Sequence, residues 1–120
     1  MEHIKDFKDL ILWQRAMDLV VEVYNLVKRI PKEELFALSD QIRRAVISIP
    51  SNIAEGQGRN SSKEFIHFLS IAKGSKAELE TQLLLCVRTN YLTEIEKAMS
   101  LIEEVGKMLN SLQKKLTTNH

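Results

Sequence analysis

From Leu10 to Leu116 the apolar residues return every three or four positions, and the pattern breaks at only three places: Ile30-Pro31, Gly56 to Asn60, and Asn90-Tyr91-Leu92. Such spacing lines one face of a helix, whereas a half-buried strand would alternate every second residue. Four long amphipathic segments must bury their stripes against one another, and short connections make consecutive helices antiparallel. The chain is therefore expected to be all-α: a single antiparallel up-down-up-down four-helix bundle over residues 1–120. The helices are placed at about 10–29, 39–58, 61–89 and 94–116.

The residues through Lys8 read as extended or frayed, and Asp9 stands where an N-cap for the first helix would. Leu12, Ala16, Leu19, Val23, Leu26 and Ile30 form the core stripe of that helix, with Trp13, Met17, Val20, Tyr24 and Val27 beside it. The combined arc is wider than one core contact demands. Either the helix is buried deeply in its own bundle, or it is shared between a core and a subunit interface. Pro31 ends it, because proline disfavours a helical residue before it and has no N–H to donate.

Lys32 to Leu38 is expected to form a short helical turn, with Ser39 capping the second helix. That helix carries Ile42, Ala45 or Val46, Ile49 and Ile53 on its core side, and it contains Pro50. The proline removes the bond to the Val46 carbonyl and clashes with it, at a cost on the order of 3 kcal/mol in a helix interior. A kink or break near Val46 to Pro50 follows, with Ser48, Ser51 and Asn52 around the bend. Gly56 and Gly58 suit the left-handed residues that close a helix.

Ser61 and Glu64 have the spacing of a capping box for the third helix. Its apolar side runs through Phe65, Phe68 or Leu69, Ala72, Leu79, Leu83 and Cys86 or Val87, beside a line of small residues: Ser70, Gly74, Ala77 and Thr81. Gly74 costs roughly 1 kcal/mol relative to alanine in mid-helix, which predicts close approach of another backbone. Thr93 and Glu96 form a second capping box. Ile95, Ala98, Ile102, Val105, Leu109, Leu112 and Leu116 then make a coiled-coil-like seam, and Thr117 to His120 is a frayed tail.

Composition narrows the function classes. With 44% hydrophobic and 28% charged residues and a formal net charge of +1, the chain is globular, and any nucleic-acid surface must be a local patch. The single cysteine, Cys86, cannot form an internal disulfide and lies among Leu83, Leu84, Leu85 and Val87 as a buried thiol. No signal-peptide h-region and no membrane-length apolar run occur, which predicts a cytoplasmic protein. His3, His67 and His120 stand apart from one another, no Glu-x-x-His pair occurs, and neither a metal site nor a cofactor is expected.

The acidic pairs Glu78/Glu80 and Glu103/Glu104 read as solvated faces, so no enzyme activity is expected. Gly56 to Lys63 superficially resembles a phosphate loop, but it follows a helix and lacks the glycine–lysine spacing of a P-loop. Arg59 and Lys63 near the start of the third helix still offer a place for a phosphate. Arg43 and Arg44 lie about 100° apart on the second helix, so one can reach solvent or RNA while the other pairs with an acid. Lys73 and Lys76 share a face of the third. These residues form either an ordinary solvated surface or a nucleic-acid patch.

Several stretches together resemble one family: Leu12-Trp-Gln-Arg-Ala-Met-Asp-Leu-Val20, Asp40-Gln-Ile-Arg-Arg-Ala45, Ser48-Ile-Pro-Ser-Asn-Ile-Ala-Glu-Gly56, and the segment from Glu64 to Leu83. The chain is similar, from about Phe7 to Leu116, to the four-helix-bundle 23S ribosomal RNA intervening-sequence proteins, some of which are encoded within insertions in 23S ribosomal RNA genes. That family is also similar to the accessory variability protein of diversity-generating retroelements, which binds nucleic acid and a reverse transcriptase. The resemblance implies a homo-oligomer, a pentameric ring, with no established enzyme activity.

Two functions are consistent with it. One is an oligomeric binder of nucleic acid, RNA or DNA, with structured RNA favoured, using Arg43, Arg44, Arg59, Lys63, Lys73 and Lys76. The other is a scaffold whose ring presents a surface to a partner enzyme such as a reverse transcriptase. Trp13, Met17, Tyr24, Asn52 and Glu55 are the expected oligomer contacts, with Pro50 tilting the second half of its helix towards a neighbour.

Overall fold

The computed structural model describes residues 6–118 and contains four long helices: α1 (Ile11–Val27), α2 (Asp40–Gln57), α3 (Ser62–Arg88) and α4 (Glu96–Thr118). Tight 3-10 turns occupy Phe7–Asp9 and Lys32–Glu34, and a π-helical turn at Leu35–Ser39 runs directly into α2. Each helix packs on its neighbours in the chain, α1 closes the bundle on α4, and the α2–α3 contact is the most extensive. Diagonal contacts are marginal, which is the up-down-up-down arrangement predicted from the short connections. Ion pairs report the register. Arg15 Nε lies 3.0 Å from Glu104 Oε2 and Lys97 Nζ 3.7 Å from Glu22 Oε1, so seven residues forward on α1 is seven back on α4.

The predicted stripes form the core. Leu12, Ala16, Leu19, Val23, Leu26 and Ile30 are all buried, as are Ile42, Ala45, Val46, Ile49 and Ile53 on α2. Leu69, Ala72, Leu79, Leu83 and Cys86 from α3 meet Ala98, Ile102, Val105 and Leu109 from α4, with Ile95 just before that helix. Phe65, Leu112 and Leu116 pack partly buried at the margin. No described helix is long and apolar enough to cross a membrane.

Several local expectations are corrected. Asp9 does not cap α1, because the 3-10 turn takes it up; Asp6 accepts from Lys8 N–H at 2.9 Å, and Leu10 precedes α1 without a side-chain cap. Ser39 is buried and helical inside the continuous run from the π turn into α2, where there is no free N-terminus to cap. The α3 cap is present, with Glu64 N–H donating to Ser61 Oγ at 3.1 Å. α4 starts at Glu96 and not at Glu94, so Thr93 and Glu96 do not have capping-box positions. Thr117 is not frayed: its hydroxyl donates to the Gln113 carbonyl at 2.8 Å, and the helix extends through Thr118.

The glycine assignments also change. No described glycine has a positive φ; Gly58 sits at φ −77° and ψ −5°. The left-handed residue is Asn90, at φ 65°, where Tyr91 N–H folds back to the Cys86 carbonyl at 2.8 Å and closes α3. Gly56 is needed for space: a Cβ there would lie 2.8 Å from both Phe65 Cδ1 and Phe68 Cβ. Gly74, expected at a close backbone approach, has nothing within 4 Å of its would-be Cβ.

α2 is not broken at Pro50, which is buried within the continuous helix. The Asn52 amide donates to the Ser48 carbonyl at 2.8 Å and to Ser48 Oγ at 2.9 Å, and Ser48 Oγ lies 2.7 Å from Ser75 Oγ. These bonds tie the residues on either side of the proline to one another and to α3.

Candidate nucleic-acid interface

The six basic residues fall into three places. Arg43 and Arg44 lie one turn into α2, and Arg59 and Lys63 flank the turn between α2 and α3. At ~1.5 Å per residue, the length of α2 sets these pairs roughly 20 Å apart. Lys73 and Lys76 are midway along α3 and reach towards α4. The fold therefore does not gather the six into one cluster.

Their partners differ as well. Arg44 is 80% exposed but holds Asp40, one turn back, at 3.1 Å. Arg43 is half-buried and has no ion-pair partner among the described residues. Arg59 is heavily committed: Nη2 is 2.7 Å from Glu55, Nη1 is 3.9 Å from Glu64, and the guanidinium lies 4.8 Å from the Phe68 ring centroid. A phosphate at the start of α3 would compete with both carboxylates. Lys63, exposed in the first turn of α3, has no such partner among the described residues.

Lys73 donates to Gln113 Oε1 at 3.2 Å, and Gln113 in turn donates to the Ile66 carbonyl at 3.2 Å and to Ser70 Oγ at 3.0 Å. This makes Lys73 part of the α3–α4 seam. Lys76 lies over Gly106, where a Cβ would come within 3.3 Å of its methylenes, and its ammonium is 3.8 Å from Glu80. It borders a groove of about 590 Å³ between α3 and α4, floored by Met99 and Ile102 and rimmed by Glu80, Glu103 and Lys107. The mixed rim gives the groove no strong sign of charge.

Sequence reading passed over Lys28, Arg29 and Lys32, three exposed cations around the end of α1 with no ion-pair partner among the described residues. Their signal was a basic run at a helix C-terminus, where cations ordinarily offset the dipole. His67 is exposed and packs edge-on against Phe68 at 5.5 Å. His3 and His120 lie outside the described residues. Among the described residues, no three His, Cys, Asp or Glu side chains are grouped to hold a metal ion. Cys86 is fully buried, and burial followed by the charge of Glu34 pushes its thiol above the ordinary 9.0.

The expected oligomer contacts also divide. Trp13 is half-buried with its ring edge-on to Phe7 at 5.3 Å, whereas Met17 and Tyr24 are exposed. Val21, 61% exposed, extends the same outer side of α1 and was not singled out from sequence, whereas Ile11, 62% exposed, lies about 120° round the helix from Met17. Asn52 is engaged with Ser48, and Glu55 with Arg59, inside the protomer.

Comparison with known proteins accords with this fold. No curated protein matches the chain. A protein of unknown function from the S23 ribosomal protein family of Bacteroides thetaiotaomicron is 33% identical, with a TM-score of 0.76 over 87% of this chain and 96% of that one. The family described as 23S rRNA-intervening sequence protein matches residues 8–111, so the chain belongs to that family.

Proposed function

We propose that this chain is a non-catalytic, self-assembling nucleic-acid-binding protein of the cytoplasm, with structured RNA as its ligand. Membership of the 23S rRNA-intervening sequence family carries the reading, and neither comparison indicates a catalytic family. Arg43, Lys63 and the exposed Arg44 are its phosphate contacts; Arg59, Lys73 and Lys76 contribute by exchanging their present partners. A protomer of net charge +1 binds RNA weakly, but a ring of five copies multiplies a modest patch through avidity. The outer side of α1, with Met17, Val21 and Tyr24, supports assembly, and Trp13, Asn52 and Glu55 flank that contact. A scaffold presenting a partner enzyme with the ring surface is the second reading. It is favoured by Ile71, Leu84, Leu85 and Val87, which remain exposed along α3.

The test is binding of a folded RNA hairpin at increasing salt. Replacing Arg43, Arg44 and Lys63 together by glutamine should weaken binding and reduce the log–log salt slope by about three. A wild-type protein with no RNA affinity at low salt would remove this reading and leave the scaffold.

A further inference from the structure

The connection between α1 and α2 exposes Phe36 to 92% of its possible extent, next to the partly exposed Leu35. The ring does not sit on a slack loop. It belongs to the π-helical turn that continues into α2; Ile30 and Ser39 are buried on either side, and Leu38 packs on the core. Glu34, two residues before Phe36, accepts a hydrogen bond from the Tyr91 hydroxyl at 2.9 Å, which fixes the turn to the end of α3.

The charges around this mount are unbalanced. Lys28, Arg29 and Lys32 precede Phe36, and Arg43 follows seven residues later, about two turns along the same continuous helix. None of the four has an ion-pair partner among the described residues. Of the acids in this stretch, Asp40 is paired with Arg44, which leaves the carboxylates of Glu33 and Glu34 against the four cations, because the neutral Tyr91 hydroxyl does not cancel the charge of Glu34. A solvent-facing aromatic ring with a net excess of positive charge along the chain on both sides matches an unpaired nucleotide: the base offers a π-face, and the flanking phosphates offer charge. A duplex keeps its bases stacked inside. A two-fold contact with a second copy of the chain would bring the same positive charges against themselves.

We propose that Phe36 is a stacking platform for an unpaired base in a single-stranded or looped nucleic acid, with Lys28, Arg29, Lys32 and Arg43 taking the adjacent phosphates. This rests on the nucleic-acid reading above and adds the class of ligand. The probe is a fluorescein-labelled oligouridylate, followed by anisotropy beside a blunt RNA duplex of equal length. Phe36→Ala should weaken oligouridylate binding by about tenfold, and Phe36→Trp should retain it. Duplex affinity and the salt slope should stay unchanged, because no charge is altered.

Equal oligouridylate affinity for wild type and Phe36→Ala overturns the stacking role while leaving RNA binding in place. A loss of assembly mass for Phe36→Ala in light scattering also overturns it, by seating the ring on a second copy. Failure of the wild type to bind either RNA at low salt removes the nucleic-acid reading itself.

Discussion

The Tyr91 hydroxyl donates to Glu34 Oε2 at 2.9 Å, and that bond requires the phenolic proton. The hydrogen bond to Glu34, then burial, raises the tyrosine above its ordinary value of 10.0. Because the folded pKa is above the unfolded one, the stabilisation is complete below about pH 10 and is lost as pH rises through the folded value. Cys86, raised by burial from 9.0, tilts stability in the same alkaline direction in any variant that keeps it. Urea midpoints measured above pH 9 should therefore fall more steeply for wild type than for Tyr91→Phe; superimposable curves would refute the coupling. In the sequence Tyr91 is only a turn residue. Its partner lies 57 positions away, and no local pattern connects the two.

At the scale of the helix, Gly56 and Gly74 show how one residue type serves different ends. The first yields its Cβ position to Phe65 and Phe68, whereas the second faces open space on an exposed part of α3. Gly56→Ala should destabilise by about 1–3 kcal/mol through overpacking. Gly74→Ala should stabilise by about 0.5–1 kcal/mol, because alanine loses less backbone entropy in a helix. Denaturant titration of the two variants gives opposite signs if these environments are right. Sequence reading gave Gly56 a left-handed φ and Gly74 a close backbone approach, since a glycine advertises freedom of φ or of space without saying which, if either, is used. The caps failed for a related reason. Asp9 and Thr93 have suitable side chains, but a shift of one or two residues in a helix start removes the free N–H groups they would meet, and Ser39 is itself helical between the π turn and α2.

For the whole molecule, the proposed assembly is tested on the outer side of α1. Val21 and Met17 are exposed, so replacing both by glutamate leaves the protomer's core intact. The double variant should retain wild-type helical content by circular dichroism and run as a single protomer in light scattering. An unchanged assembly mass would move the interface elsewhere, and a monomeric wild type would remove the ring and its avidity.

The four apolar stripes, the all-α class and the antiparallel order were legible from the sequence because helix periodicity is set within a few residues by backbone geometry. Even the inner stripe of α1, from Leu12 to Leu26, could be read this way. The tertiary structure decided what depends on the rotation and axial register of packed helices. It joined Arg59 to two carboxylates, placed Lys73 against Gln113 and Lys76 over Gly106, and left Arg43 and Lys63 without ion-pair partners among the described residues. It also turned Phe36 outwards. Those outcomes depend on which stretches meet across the bundle, and a charge or a ring carries no local sign of its distant neighbour.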